Sequence, residues 1–476
     1  MRIFTCLILE FISYSEPYKI EGIIKMKELD FLFLYEHKVR ELENLCLIKY
    51  ELDRRGYRTE IRYIEDAENA LAVKPFIHTK VLLVMACYDN HALNWQVKNF
   101  VKFDKVIDMQ WENIVYPKDE GRKDAFKNYK EIGKDVVRVS WGRQNAKRML
   151  DVVKMDPDKL KVIGHVGMDF LRAPLTGYYK SREELFAQYD LPVDKKVILF
   201  ASPYYGDSLD ESYIQDMCCR FGEDWREYYQ FMCSSQEIVL QWMEELLDKD
   251  PELYVVFRPH PGHPSHIAER IAKQYDHFKI ISGESVKQWI VTCDKVYTGN
   301  SSVVVEAFFA KKMCQLLFPL PVTPGFELKL ISDSAKLSDY EAFRKSVYAE
   351  EETFPTPVES IEEIYMVDWE EPSYIKFANM CEEVWKEDRY RLSGEQIAQI
   401  RKETGMQKLI RTVSGIDALY GIYLKLINNK GIHWGWVEKQ RKLRERAYQI
   451  EQEHAHELTS PEEIAKITDK IRKALT

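Results

Sequence analysis

The sequence lacks cysteine pairs with zinc-type spacing, a surplus of basic residues, internal repeats and a long apolar run. None of its nine cysteines belongs to a C-x-x-C pair, which argues against a structural zinc site. A net charge of −9 argues against general nucleic-acid binding, because that function needs a basic face. Several cysteines lie inside apolar stretches, where cysteine acts as a small hydrophobic residue. These features predict a reduced, cytoplasmic protein.

The first 25 residues do not have the pattern of a signal peptide. Residues 3–12 are apolar, but they include Glu10 and are too short to cross a bilayer. Met26 comes shortly before a strong strand pattern. We therefore expect residues 1–25 to be an N-terminal extension.

What is present is the composition of a globular protein, with 45% apolar and 30% charged residues. A chain of 476 residues exceeds one ordinary core, so we expect two domains and an appendage. Strand and helix patterns alternate, which predicts an α/β fold of two parallel sheets facing across a cleft. The expected parts are a Rossmann-like acceptor-side domain (26–175), a Rossmann-like nucleotide-donor domain (190–330), and an acidic linker with a helical region (331–476).

The hydrophobic pattern also predicts individual elements. The predicted strands are 31–35, 57–63, 81–87, 105–109, 136–139, 161–164, 196–201, 279–281 and 315–318, with further strands beginning at 254 and 296. The predicted helices are 39–54, 145–153, 235–247, 264–275 and 286–292, a short helix within the connection 173–195, and a mostly helical end from residue 374.

Two segments carry the strongest functional signal. Residues 254–261 and 296–307 are apolar, β-branched runs that stop abruptly at polar residues, as buried parallel strands do at their carboxyl ends. The first run ends at Arg258 and His260, and the second ends at Gly299, Asn300, Ser301 and Ser302. An arginine, an imidazole, two hydroxyls and free N–H groups at a helix start suit a phosphate dianion. The alternative is that a serine simply caps the helix and His260 is an ordinary turn residue.

Four blocks stand in order along the chain: Gln110-Trp-Glu-Asn113, Val162-Ile-Gly-His-Val-Gly-Met-Asp169, Leu199-Phe-Ala-Ser-Pro-Tyr-Tyr205, and Arg258-Pro-His-Pro261 with Thr298-Gly-Asn-Ser-Ser302. These blocks resemble the CDP-glycerol glycerophosphotransferases of teichoic-acid synthesis and related bacterial surface-carbohydrate glycosyltransferases, which implies a GT-B fold. The family carries Trp-His-Gly at the first block and Gly-x-Pro-Arg-x-Asp at the second. Glu112 replaces that histidine, and Val166-Gly167 replaces the Pro-Arg, which favours sugar transfer over glycerol-phosphate transfer.

The His-Pro and Ser-Ser pair is similar to that of bacterial sialyltransferases and capsule Kdo transferases, which use CMP as the leaving group. The resemblance therefore implies a metal-independent glycosyltransferase of surface polysaccharide (capsule or lipopolysaccharide) synthesis. Its donor would be a CMP-activated acidic sugar such as Kdo or a nonulosonic acid, and its acceptor a glycan or lipid-linked glycan. We expect no separate cofactor, no metal and no nucleic-acid partner.

The resemblance and the strand positions together suggest roles for single residues. His260 would stabilise charge on the departing phosphate, and the donor would also contact Arg258, Pro261, Gly299, Asn300, Ser301 and Ser302. Glu306, one turn beyond Ser302, would bind a ribose hydroxyl or is an exposed helix carboxylate. The candidate bases are Glu112, then Glu36 with His37, then Asp207 with Asp210, and each is alternatively a solvated loop residue.

Other charged and aromatic residues are interpreted structurally. Arg40 and Glu41 form an ion pair at a helix start or part of the cleft, and His165, His263 and His266 are turn or helix-start residues. A C-terminal helix with Trp434, Trp436 and several basic residues packs on the two domains or contacts the inner face of the plasma membrane. Three alternative functions stay open: polyol-phosphate transfer from CDP-glycerol or CDP-ribitol, non-hydrolysing sugar-nucleotide epimerisation, and carbohydrate binding without catalysis.

Overall fold

The structure is a computed structural model that describes residues 27–64, 77–97, 101–120, 129–204, 211–260, 265–350, 353–365, 368–401 and 425–476. Its strands are β1 (Lys27–Tyr35), β2 (Thr59–Tyr63), β3 (Ile77–Val84), β4 (Val101–Asp108), β5 (Val137–Ser140), β6 (Leu160–Val162), β7 (Val197–Ala201), β8 (Tyr254–Arg258), β9 (Phe278–Ile280), β10 (Lys295–Thr298) and β11 (Cys314–Leu316). The helices that end inside the described ranges are α1 (Lys38–Arg54), α2 (Asn90–Val97), α3 (Pro117–Glu120), α4 (Arg143–Arg148), α5 (Arg182–Gln188), α6 (Glu211–Phe221), α7 (Asp224–Lys249), α8 (His266–Gln274), α9 (Val286–Thr292), α10 (Val303–Phe309), α11 (Lys329–Ser332), α12 (Tyr340–Tyr348), α13 (Val358–Tyr365), α14 (Ser373–Lys386), α15 (Gly394–Arg401), α16 (Gly435–Glu453) and α17 (Pro461–Leu475).

The first sheet has the strand order β2-β1-β3-β4-β5-β6, and its pairings are parallel. Apart from Lys27 and Glu28, every residue of β1 is buried, as expected for a parallel strand covered on both faces. The order of the strands reverses between β1 and β3. Ligands of such sheets bind beyond the carboxyl ends of the strands at this reversal, so the end of β1 is one rim of a candidate site.

The second sheet has the order β11-β10-β7-β8-β9 and is also parallel. Its strand order reverses between β7 and β10. Ala201 at the end of β7 pairs with Arg258 at the end of β8, and the Thr298 hydroxyl of β10 donates to the Ala201 carbonyl at 2.8 Å. The carboxyl ends of β7, β8 and β10 therefore lie side by side. The predicted fold, two Rossmann-like parallel-sheet domains that face one another across a cleft, is confirmed.

Helix boundaries were harder to predict than strands. The helix expected at 235–247 is α7, which begins at Asp224 because Trp225, Tyr228 and Tyr229 extend its buried face. The helix expected at 145–153 is α4 followed by a π-helical turn at Met149–Val153. The sequence did not predict α2, α3, α6, α11, α12 or α13.

The C-terminal region returns to the first domain. Asp169 accepts hydrogen bonds from the backbone N–H groups of Ser373 (3.2 Å) and Tyr374 (2.7 Å), which fixes the start of α14. α14 and α17 both pack against α1. The predicted helical end is confirmed for α14 to α17, whereas residues 402–424, like residues 1–26, lie outside the described residues. Within the described ranges, no helix combines the length and apolarity that a bilayer crossing requires.

Candidate functional site

The predicted phosphate-binding residues lie at the carboxyl edge of the second sheet. His260 follows β8, and Ser301 and Ser302 follow β10, with β7 between the two strands. Two strand spacings separate these backbones by about 10 Å, a gap that a phosphate group and the side chains on either side can fill. All three side chains are half-buried. The three residues therefore follow strands of one sheet edge, and their joint contact with a phosphate stays a prediction.

Arg258 is held at the same edge by the segment before α9. Its guanidinium donates to the carbonyls of Gly283 (2.8 Å) and Glu284 (2.6 Å). Burial lowers the pKa of Arg258, while nearby Tyr189, Glu306 and Glu284 oppose the decrease. The two carbonyl bonds orient the side chain and leave part of its hydrogen-bonding capacity for a ligand.

Gly299 and Asn300 are tied into the protein. A Cβ on Gly299 would lie 2.8 Å from the Tyr204 hydroxyl, so only glycine fits where the loop after β7 crosses this turn. The Asn300 side chain donates to the Phe326 carbonyl (2.7 Å) and accepts from the Leu328 N–H (3.0 Å). These contacts fix the turn that carries the serines, and a contact between Asn300 and a ligand stays a prediction.

The two serines differ in their surroundings. The Ser301 hydroxyl accepts from the Val303 N–H at 3.2 Å, whereas Ser302, the N-cap residue of α10, makes no side-chain capping hydrogen bond within the described part of the chain. Ser302 neighbours Tyr365, whose ring is 5.4 Å from Trp141 and 5.8 Å from His165. Ser302 therefore lies at the interface between the two domains, where Tyr365, Trp141 and His165 meet. We call this interface the seam.

Glu306 on α10 is a half-buried carboxyl group in that seam. Burial raises its pKa, and the positive charges of Lys287 and Arg258 oppose the increase. Among the described residues, no basic nitrogen lies within 4.0 Å of its carboxylate. The exposed-carboxylate alternative therefore does not describe Glu306, and its carboxyl group is available to a hydroxyl of a ligand.

The opposite rim of the cleft carries the candidate bases. Glu112 is 71% exposed and pairs with Arg40, whose Nη1 lies 3.0 Å from Glu112 Oε1. Glu36 is 43% exposed and has the Nε2 atom of His37 at 3.9 Å from its carboxylate. Asp207, Asp210, Pro261 and His263 lie outside the described residues.

The loop that carries Glu112 starts from a buried ion pair. Arg138 and Asp108 are both fully buried, with Arg138 Nη2 3.1 Å from Asp108 Oδ2. Asp108 Oδ1 accepts from the Gln110 N–H at 2.9 Å, and Gln110 has a φ of 42°. A left-handed glutamine is strained, so the ion pair helps to hold the conformation that directs Glu112 toward Arg40.

The C-terminal segment reaches the same rim, a contact that the sequence did not predict. The Glu457 carboxylate accepts from the Lys38 N–H (2.6 Å), and its carbonyl accepts from the Tyr35 hydroxyl (2.7 Å). Glu457 Oε1 lies 3.5 Å from His37 Nδ1. This contact supports the interpretation that the helical end packs on the domains, although Trp434 at the start of α16 is 52% exposed.

Glu41, in the first turn of α1, makes the stability of the folded protein depend on pH. Burial raises its pKa from 4.5 to about 7, opposed by the N–H of Glu36 and the charge of Arg40. Between these values the folded protein holds a proton that the unfolded chain has released, so stability falls as pH rises through this window. Replacing Glu41 with glutamine should remove on the order of 3 kcal/mol of this decrease.

Urea unfolding of the Glu41→Gln variant and the wild type at pH 5 and pH 8 measures the effect. The variant should be more stable than the wild type at pH 8 and similar to it at pH 5. Glu359→Gln, at an exposed glutamate, should keep the wild-type pH dependence. Equal pH dependence in Glu41→Gln and wild type would contradict the assignment.

Two further residues face the seam. The sequence did not single them out as ligand-binding residues. Lys287 lies in the first turn of α9, and His165 lies in the block that resembles the family's Gly-x-Pro-Arg-x-Asp turn. Nothing in the local pattern around Lys287 marks it, because its neighbours come from the other domain. Among the described residues, no cluster of three histidine, cysteine or acidic side chains could hold a metal ion.

No protein-family model matches the chain, and no curated protein matches it. Several solved structures are similar. A variant of the wall teichoic acid polymerase TagF, H548A, is 15% identical with a TM-score of 0.49 over 76% of this chain and 89% of that chain. A UDP-GlcNAc 2-epimerase from Neisseria meningitidis bound to UDP-GlcNAc is 13% identical with a TM-score of 0.44 over 76% of this chain and 100% of that chain. Likeness at this level does not identify the reaction of this protein.

Proposed function

We propose that the protein is a metal-independent glycosyltransferase of bacterial surface polysaccharide synthesis that acts in the cytoplasm. Its donor is a CMP-activated acidic sugar, and its acceptor is a glycan. The observation that supports this most directly is the shared carboxyl edge of β7, β8 and β10, where His260 follows β8 and Ser301 and Ser302 follow β10. Nucleotide ligands of two-domain α/β proteins bind at such an edge, in the cleft between the domains.

The geometry suits departure of a nucleotide phosphate. An acceptor hydroxyl attacks the anomeric carbon, the bond from that carbon to the phosphate oxygen breaks, and the electron pair leaves with CMP. His260 and the serine hydroxyls donate hydrogen bonds to the phosphate as its negative charge develops. Glu306 binds a ribose hydroxyl, since its carboxyl group has no ion-pair partner among the described residues.

The acceptor hydroxyl must lose a proton during transfer. Glu112 is the proposed base because it lies at the opposing rim, and Arg40 keeps the carboxylate in a fixed position. Glu36 beside His37 is the second candidate at this rim. A contribution from Asp207 stays a prediction.

A thermal-shift screen of CMP, CDP, UMP, UDP and GDP tests the donor. CMP at about 100 times its dissociation constant should stabilise the protein by roughly 2.7 kcal/mol, and the other nucleotides should stabilise it less. A preference for UDP would contradict the proposed donor. Turnover of CDP-glycerol without turnover of a CMP-sugar would instead indicate polyol-phosphate transfer.

A further inference from the structure

Three side chains from both domains converge beside Gly167, in the seam. The position that a Cβ on Gly167 would occupy lies 2.7 Å from His165 Cε1, 2.9 Å from Lys287 Nζ and 3.0 Å from Asn44 Oδ1. Lys287 belongs to the nucleotide-side domain, whereas the other residues belong to the first domain. The absence of a side chain at Gly167 is what leaves room for them.

Lys287 has no counterion within the part of the chain that the structure describes. Among the described residues, its ammonium group forms no ion pair within 4.0 Å, and it lies 5.8 Å from the centre of the Phe170 ring. Glu306 is close enough for its pKa to respond to Lys287, but the two groups are not in contact. An unpaired cation between two domains is favourable when a ligand supplies the missing negative charge.

Asn44 provides an independent sign of a missing ligand. The residue is 2% exposed, and its Oδ1 atom has no hydrogen-bond partner among the residues that the structure describes, although its Nδ2 donates to the Arg40 carbonyl at 3.0 Å. A buried acceptor without a donor is costly, since it has lost its water and gained nothing. A hydroxyl group of a ligand within hydrogen-bond distance of this oxygen would satisfy it.

His165 presents a fixed donor to the same space. Its Nδ1 accepts from the Gly167 N–H at 3.0 Å, which places the ring proton on Nε2. The ring packs edge-on against Trp141, with centroids 4.2 Å apart. Burial and the neighbouring Lys287 lower the pKa of His165 to about 3, so the ring stays neutral near pH 7. A neutral imidazole beside an ammonium group offers two donors for an anionic oxygen.

We infer that Lys287 and His165 together bind an anionic group, phosphate or carboxylate, of the nucleotide-sugar donor, and thereby join the two domains around it. The assignment rests on the proposed transfer reaction and adds a binding point that does not involve His260 or the serines. The Asn44 amide would receive a hydroxyl next to that group.

Two variants test the binding point. Lys287→Met removes the charge while keeping a similar length, and Gly167→Ala fills the point itself. Lys273→Met, at an exposed lysine of the same domain, and Gly394→Ala, where a Cβ meets no atom within 4 Å, are the matched controls. Dissociation constants come from thermal shifts with CMP, CMP-N-acetylneuraminic acid and inorganic pyrophosphate.

The probes distinguish the source of the anion. If the anion is the sugar carboxylate, Lys287→Met and Gly167→Ala should weaken binding of the CMP-sugar at least tenfold and leave binding of CMP unchanged. If the anion is the nucleotide phosphate, binding of CMP and of the CMP-sugar should weaken to the same extent. The controls should bind each probe as the wild type does.

Failure of the binding point and failure of the proposed function give different results. Unchanged affinity of Lys287→Met for every probe that binds the wild type would overturn the binding point while leaving the glycosyltransferase proposal intact. A wild type that responds to pyrophosphate through Lys287, but to neither CMP compound, would retain the anion site and refute the proposed donor. A wild type that binds none of the three probes would overturn both.

Discussion

The His260→Ala variant is expected to release CMP from a CMP-sugar donor about 10²–10⁴ times more slowly than the wild type. The imidazole follows β8 at the edge where the leaving phosphate is proposed to lie, opposite Ser301 and Ser302. Charge on that phosphate is larger in the transition state than in the bound donor. Loss of the imidazole, which donates a hydrogen bond to that phosphate, should therefore lower kcat more than it raises KM.

Steady-state CMP release, measured with saturating acceptor, checks this expectation. His266→Ala, at a histidine of α8 whose side chain is 72% exposed, is the control and should keep wild-type rates. A His260→Ala variant that changes only donor affinity, with kcat intact, would indicate a binding role. Intact kcat and KM would remove His260 from the site.

The sheet edge could be predicted because its signal is local. β8 and β10 are short runs of β-branched and aromatic residues that end at a charged or polar residue, and a buried parallel strand leaves this pattern in any sequence. Since strands of one parallel sheet end at a common edge, the placement of His260, Ser301 and Ser302 along that edge follows from the strand assignment.

The seam between the domains could not be predicted in the same way. Lys287, His165 and Asn44 lie on three different elements, and none of their local patterns records which element packs opposite. His165 was interpreted as a turn residue because its spacing is that of a turn, and its contact with Gly167 is indeed a turn contact. Its position beside Lys287 depends on how the two sheets face one another.

Roles that depend on side-chain partners could also not be predicted from the sequence. Glu112 follows β4 as expected, but its pairing with Arg40 requires knowing that α1 passes the same rim. Glu306 was predicted to be either ligand-binding or exposed, and the structure half-buries it near two cations, while its contact with a ligand stays a prediction. The early start of α7 was missed because aromatic residues are common in strands and turns as well as in helices.

Replacing Arg138 with methionine is expected to lower the free energy of unfolding by about 3–5 kcal/mol. Arg138 is fully buried, and it donates to the carbonyls of Cys87 and Gly133 at 2.8 Å each in addition to pairing with Asp108. Methionine fills much of the volume but leaves the Asp108 carboxylate without its cation in an apolar interior. Urea unfolding with an unchanged m-value would measure the loss.

A double-mutant cycle with Asp108→Asn separates the ion pair from the packing. The double variant should be more stable than the sum of the two single effects predicts, because neither partner is then left charged alone. Arg40→Met, which breaks the exposed pair with Glu112, should change stability by no more than about 1 kcal/mol.

The buried pair also holds Gln110 in its left-handed conformation, so Arg138→Met should slow transfer even at temperatures where the protein stays folded. Normal rates in a folded but destabilised Arg138→Met protein would show that the position of Glu112 does not matter for the reaction, and would remove it as the proposed base.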